Sequence, residues 1–348
     1  MKTVTMGLPI YKRLEYLPQV LPIIEAQDYP AIDLLVSDNG TNGSRVREIV
    51  EQHYSRPFRF RQNPVTVDIN QHFNQLVAEA TGEYFVLLCD DDEISPNYVS
   101  ELVALLERHP DIDVAFSRQE SIDEQRTLKG RSVDDLPERV PGDKFMLLRA
   151  NYKVSGIRNT VTHLSRTVRL RECGGWPTFP RSIFSDEALV MKLALGRDVA
   201  FSRACVFRNR VYPASFGTTS SCRDLAAASR QFLRFVNDGP EVVAFAAAHP
   251  LRASELRKTL SRSIWSQYYR VWRSRYRSRL PYVEWVRAGF GMPPIAGYYA
   301  RLAWPLAHYS LRALARSALP ASYRARRRTG ARGGKDSNSA GLPPGQSE

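Results

Sequence analysis

The most constraining stretch of this chain is Tyr84–Cys89 (YFVLLC), an uninterrupted apolar run that stops at three consecutive aspartates, Asp90, Asp91 and Asp92. A run of that length without alternation belongs to a strand buried on both faces, and such strands occur in parallel sheets covered by helices. Its surroundings agree. Residues 3–10 read as a strand that breaks at Pro9, followed by Leu14, Leu17, Leu21 and Ile24 near helical spacing. Ile32 to Asn39 is a second apolar strand, Ser44 can cap a helix through about Tyr54, and Phe58 to Arg61 is a short third strand. Asp68 can cap a helix that runs to Glu79 and ends at Gly82. A helix from about Pro96 to Arg108 and a strand near Val114 to Ser117 follow the aspartates. This alternation predicts an α/β fold, a mostly parallel sheet with helices on both faces, in which ligands bind beyond the carboxyl ends of the strands.

Further along, residues 119–150 are polar and Pro-containing, and Arg171 to Pro180 is a Gly- and aromatic-rich loop. Ser185 to Leu195 reads as a helix, with two short strands near Val199 to Phe201 and Cys205 to Val211. From about Leu225 the pattern is helical and Arg-rich. The expected organisation is an α/β domain over 1–220 and a basic, aromatic-rich helical extension over 221–328. The tail at 329–348 is expected to be disordered, since its Gly, Ser and Pro cannot build a core.

The net charge of +13 is unevenly placed. Residues 251–348 carry 19 Lys and Arg against 4 Asp and Glu, whereas residues 1–250 carry 30 against 32. Arginines interleaved with Trp265, Trp272, Trp285 and Trp304 fit a helix lying on an anionic membrane surface, with plain helical packing as the alternative. Nucleic acid is disfavoured because no recognised binding motif is present. Cys89, Cys173, Cys205 and Cys222 are far apart and form no CxxC pair, which argues against a disulfide framework or zinc site and fits a reducing compartment. There is no signal-peptide pattern and no run of about 18 apolar residues. The expected location is therefore cytoplasmic, with peripheral attachment to the inner face of the membrane.

The glycines form neither a GxGxxG nor a P-loop pattern, which disfavours a dinucleotide-binding dehydrogenase or a nucleoside triphosphatase. The first strand lacks a following Gly-rich, Lys- or Arg-containing phosphate loop, which argues against a nucleotidyltransferase. His53, His72, His109 and His163 lack ligand spacing and read as structural or surface residues. The aspartates carry the chemistry. At the end of a buried strand at least one of them projects into the crevice, and hard cations such as Mg²⁺ or Mn²⁺ bridge carboxylates of this kind to substrate phosphates. A solvated turn capping the next helix is the plainer reading of the same residues. Asp38 ends the second strand at the same edge, where it can accept hydrogen bonds from a nucleobase or ribose or serve ordinary turn chemistry.

Four segments, LPIYKRLEYL, AQDYP, LLVSDNGTNGS and ATGEYFVLLCDDDEISPNYV, occur in an order and spacing that resemble the family 2 glycosyltransferases with the GT-A fold, over most of residues 3–110. The resemblance implies a nucleotide-sugar site with Pro9, Tyr11 and Asp38 around the base, and with Arg13 and Asn74 on further donor positions. Asp91 is the expected principal metal ligand, Asp90 faces the ribose, and Asp92 assists. Cys89 stands where the family often has an aspartate. The segment GGWPTFPRSIFSDEALVMKLA matches the loop and helix that carry the family's catalytic base. Asp186 takes that position, Ser185 replaces the usual Glu, and Glu187 is the fallback. Gly175 and Trp176 are expected to bind the acceptor, a buried Trp on a tight turn being the alternative. The implied activity is metal-assisted, inverting hexosyl transfer from a UDP-, GDP- or dTDP-sugar to a glycan or lipid-linked acceptor in cell-envelope polysaccharide or glycolipid synthesis. The rival is a non-catalytic relative that binds nucleotide or glycan and docks on membranes.

Overall fold

The computed structural model describes residues 1–132, 136–151, 162–212 and 220–275. All described residues lie in one compact unit within Met1–Pro293. The α/β alternation is present from the start: β1 (Val4–Ile10), α1 (Leu17–Glu25), β2 (Ile32–Asp38), α2 (Arg45–His53), β3 (Phe58–Gln62), α3 (Ile69–Glu79) and β4 (Tyr84–Leu87). Then come β5 (Glu93–Ile94), α4 (Tyr98–Arg108), β6 (Val114–Ile122), β7 (Leu128–Arg131), β8 (Arg139–Pro141), α5 (Gly142–Ala150), β9 (Leu164–Arg166) and α6 (Thr167–Glu172). A short 3₁₀ turn (Pro180–Ser182) leads to α7 (Ser185–Ala194), β10 (Asp198–Arg210), α8 (Cys222–Asp238), α9 (Pro240–Ala248) and α10 (Pro250–Arg275).

The ten strands form one sheet in the order β3-β2-β1-β4-β9-β6-β10-β5, with β7 on β6 and β8 on β10. Strands β1, β2, β3 and β4 are parallel, so Ile10 lies level with Asp38 and Gly7 with Leu87, and their carboxyl ends open on one edge. All seven residues of β1 and all four of β4 are buried, as two-sided burial of a central strand requires. Asp68 caps α3 by accepting the Asn70 amide at 2.9 Å. Gly82 sits where a Cβ would meet the Thr5 nitrogen at 2.5 Å and the Thr3 carbonyl at 2.7 Å, so only glycine lets the chain turn past β1 into β4.

The sheet is mixed where the sequence alternation fades. Antiparallel β9 lies between β4 and β6, and β10 runs parallel to β6 but antiparallel to β5 and β8. The two short strands expected near 199–211 are the single strand β10. Its register shifts between Ser202 and Val206, where Ser202 Oγ takes the Ala204 amide, and this bulge imitates a strand break in the period-two pattern. The polar stretch 119–150 holds the end of β6, then β7, β8 and α5, short elements whose burial is set by tertiary neighbours rather than by a local period.

Helices α8, α9 and α10 pack onto the α/β part through α5, α7 and the 3₁₀ turn. Phe232 of α8 stacks on Phe184 at 5.2 Å, and both Phe232 and Phe235 meet Phe179. Trp265, expected to face a membrane, is instead 1% exposed and lies edge-on to Tyr268 within the protein. Apolar aromatic area on an amphipathic helix is satisfied equally by a neighbouring helix. The Trp272 side chain, Trp285, Trp304 and the tail at 329–348 lie outside the described residues. Among the described residues no helix is long and apolar enough to cross a membrane.

Candidate active site

The carboxyl ends of β1, β2 and β4 border a cavity of about 480 Å³. Pro9, Tyr11 and Arg13 line it where β1 ends, Asn39 where β2 ends, and Cys89, Asp90 and Asp91 where β4 ends. The start of α3 and Arg181 close it, with His72 and Phe73 on its wall. Tyr11 is 40% exposed at the rim, with Lys12 Nζ over its ring at 4.9 Å. His72 is buried and its Nε2 lies 2.7 Å from Ser37 Oγ. Burial, with the charge of Arg61 adding, lowers its pKa to about 4, so the imidazole is neutral at pH 7. Of the non-glycine residues with positive φ, Lys12, Arg181, Ser182 and Phe184 all belong to segments around this cavity or leading into α7. Strain of that kind persists where surrounding packing enforces it and is typical of functional sites.

The aspartate turn packs three carboxylates together. Burial, and then the charge of Asp91, hold the Asp90 and Asp92 carboxyls well above the usual carboxylate range. Asp91 Oδ2 accepts the Tyr212 hydroxyl at 2.6 Å and has Arg13 Nη2 at 3.8 Å, while its Oδ1 carries no donor among the described residues. The Arg13 guanidinium lies 4.7 Å over the Tyr212 ring, and its Nη1 is buried without a partner. An oxygen-only donor set with mutually repelling charge is suited to a hard divalent cation or to cationic side chains. Among the described residues no three acidic, His or Cys side chains converge into a ready-made cage. A cation here would complete its shell with phosphate oxygens and water, the usual habit of Mg²⁺.

Asp186 stands in the first turn of α7 and is half-buried. Burial, with Glu187 adding, raises its pKa to about 7. Its Oδ1 accepts the Trp176 indole N–H at 2.8 Å. It is not among the residues that line the cavity, but its charge bears on Cys89, which is. The Cys89 thiol is pushed well up by burial, then by Asp92, Asp91 and Asp90, with Asp186 contributing as well. The arrangement is thus a metal-suited acidic edge on the cavity with a carboxyl poised near neutrality at the start of α7, chemistry that suits proton abstraction coupled to departure of a phosphate leaving group.

Comparison with known proteins bears on this arrangement. Residues 5–165 match the family described as Glycosyl transferase family 2. These residues are a family 2 glycosyl transferase domain. The chain is 26% identical to the abequosyltransferase RfbV of Salmonella typhimurium over 124 residues, 34% of this chain and 37% of that protein. Curated relatives are matched over 32% to 66% of their length. The fold resembles that of S. aureus TarS 1–349 in complex with UDP-GlcNAc, with a TM-score of 0.64 at 14% identity over 82% of this chain and 79% of that one. It also resembles the mannosyltransferase PcManGT of Pyrobaculum calidifontis in complex with GDP-Man and Mn²⁺, with a TM-score of 0.51 at 16% identity over 87% and 83%. The fold is GT-A.

Of the expected site residues, Pro9, Tyr11, Arg13, Asp90 and Asp91 reach the cavity, whereas four other expectations are corrected. Asp38 is fully buried. Its carboxylate accepts from the Asn42 amide and side chain and from Gln62, so it ties the loop after β2 to β3 rather than facing the cavity. Asn74 bonds both backbone groups of Trp176 and lies behind the cavity as a loop clamp. Asp92 is 6% exposed and accepts the Arg210 amide at 2.9 Å, so it points into the protein rather than at a cation. Gly175 and Trp176 do not present an open face. Gly175 has φ +62° and its Cβ would lie 2.2 Å from Asn74 Oδ1, and the Trp176 indole is 2% exposed. Glycine is needed there for the backbone to pass Asn74, not for a sugar to approach.

Two residues beyond the family 2 domain were not anticipated. Arg210, at the end of β10, has a fully buried side chain whose five N–H groups are all used. They reach the Asp91 carbonyl, the Asp123 and Glu124 carbonyls, Gln19 and the buried Glu93 carboxylate, with Tyr16 stacked at 4.6 Å. Tyr212 follows and holds Asp91. The available signal was an arginine closing a strand in a protein with three acids to neutralise, but nothing local says which of 49 Lys and Arg it is.

Proposed function

We propose that the chain transfers a glycosyl group from a nucleoside-diphosphate sugar to a hydroxyl acceptor, with Asp186 as the base and with Asp90, Asp91 and Arg13 facing the diphosphate. The observation that carries this reading is the electrostatic reach of Asp186, a carboxyl whose pKa is about 7, to Cys89, which lines the cavity beside Asp90 and Asp91. The acceptor oxygen attacks the anomeric carbon, the bond to the diphosphate breaks with its electron pair leaving on phosphate, and the acceptor's proton goes to Asp186. One base and no evident protein nucleophile favour a single displacement with inversion. Tyr11 offers a face for the base, and Arg13, with an unpartnered buried Nη1, offers a cation for a phosphoryl oxygen. Mg²⁺ or Mn²⁺, when bound at Asp90 and Asp91, supplies neutralisation of the charge that builds on the leaving diphosphate. The nucleotide-sugar complexes of TarS and PcManGT support the donor class, and the acceptor is assigned as a glycan or lipid-linked glycan of the cell envelope by the family resemblance.

The first test is release of nucleoside diphosphate from a panel of sugar nucleotides with Mn²⁺. Turnover of one donor, stopped by chelator, supports the reading; donor binding without turnover in the presence of membrane extract as acceptor moves the protein to a non-catalytic binding role. Asp91→Asn is expected to weaken Mn²⁺ binding, measured by calorimetry with donor diphosphate present, and to lower turnover by roughly 10²-fold or more. Because the base must be ionised, activity is expected to fall as pH drops through about 7 and to plateau above it, a limb readable in kcat/KM.

A further inference from the structure

The indole of Trp176 is too buried to meet a substrate, yet its one polar atom is spent on the candidate base. Nε1 donates to Asp186 Oδ1 at 2.8 Å, while Asp186 Oδ2 has no donor among the described residues. A buried indole N–H needs a partner, but the direction of this one is set with unusual care. Asn74 Nδ2 donates to the Trp176 carbonyl at 2.9 Å and Asn74 Oδ1 accepts the Trp176 amide at 2.8 Å. Lys192 Nζ donates to the Gly175 carbonyl at 3.2 Å, and Phe73 packs edge-on against the indole at 5.5 Å. The loop is thereby fastened to α3 on one side and to α7, which carries Asp186, on the other. We propose that Trp176 is a positioning residue for Asp186: its N–H fixes Oδ1 and leaves Oδ2 as the oxygen that takes the acceptor's proton, with Asn74 holding the indole in register. The proposal rests on the reading of Asp186 as the base.

The charged and titratable groups bearing on Asp186 are Glu187 beside it, Arg149 from α5 and the Cys89 thiol after β4. Of these and Trp176, the N–H and Arg149 favour the ionised form, while Glu187 opposes it. Losing the N–H therefore moves the acid limb to higher pH. Hydrogen bonds to charged groups are worth enough to shift that limb by about one pH unit.

The test measures pH profiles of kcat and kcat/KM for the full chain, Trp176→Phe, and a chain with Trp176 replaced by benzothienylalanine, which keeps the ring shape and exchanges N–H for sulfur. Both replacements are expected to move the limb up by about one unit and to lose about five- to ten-fold in rate at pH 7, with recovery above about pH 9 and donor KM changed less than about two-fold. Recovery at high pH is what a merely structural tryptophan does not produce. If Trp176→Phe fails to fold, the isosteric replacement still decides. Turnover in the parent with an unshifted limb in the replacements overturns this inference alone. Failure of the parent to turn over any donor overturns the assignment of Asp186 and this inference with it.

Discussion

Asparagine at position 186 is expected to abolish transfer while leaving donor binding intact. A positioned general base contributes about 10² to 10⁴-fold, and an amide cannot take the acceptor's proton, so kcat should fall by about that factor. The fold should not suffer. The Asn carbonyl still accepts the Trp176 N–H, and a carboxyl whose pKa burial has raised to about 7 is costly to ionise, so removing it leaves stability unchanged or slightly raised at pH 8. Steady-state kinetics with the donor found by the panel, donor affinity by calorimetry and a thermal melt give the three readings. A variant that keeps half its rate would remove Asp186 from the chemistry.

The largest expected loss of stability is at Arg210. Replacing it with Leu removes the cation from the buried Glu93 and strips donors from the Asp91, Asp123 and Glu124 carbonyls, all of them packed beneath the aspartate turn. Breaking a buried pair from one side costs about 3–5 kcal/mol, because the remaining charge is left in low dielectric. Arg126 also reaches Glu93, at 2.8 Å, from a half-exposed position, so part of that charge stays compensated. A loss of about 3 kcal/mol or more in urea unfolding is therefore expected, with donor affinity falling too, since the side chain holds the Asp91 carbonyl, while the backbone amide that Asp92 accepts is kept in the Leu variant. Arg210→Lys should recover only part of it, as one ammonium cannot span five acceptors. A stability change under 1 kcal/mol would mean that the network is ornamental.

These two residues show what was legible and what was not. The place of Asp186 in the first turn of a helix after the Gly-Gly-Trp loop was reachable, because helix beginnings and glycine turns leave local marks in a sequence, while its role as base is what the family resemblance implies. Arg210 was invisible, since its partners lie 86 to 191 positions away and come from three different stretches of the chain. The same distinction separates Asp90 and Asp91 from Asp92. Three identical neighbours cannot be ranked by type, and the turn after β4 sends two to the cavity and one to the Arg210 amide. Asp38 looked like a ligand residue because it ends a strand at that edge, and Asn74 because the family resemblance puts it on a donor position, but each found backbone or side-chain partners first. Trp176 was read as an open surface although the buried alternative was equally available to it.

What the sequence by itself determined is the alternation of buried strand and amphipathic helix, the edge at which β1, β2 and β4 end, and the placing of acids there, because periodicity, capping and burial of apolar runs act over a few residues. The tertiary structure alone decided which way each acid points, that β9 runs antiparallel through the middle of the sheet, that Trp265 packs inward, and that Trp176 serves Asp186. Those outcomes depend on contacts between segments far apart in the chain, where desolvation makes every buried polar group find a partner, and the partner is chosen by the fold.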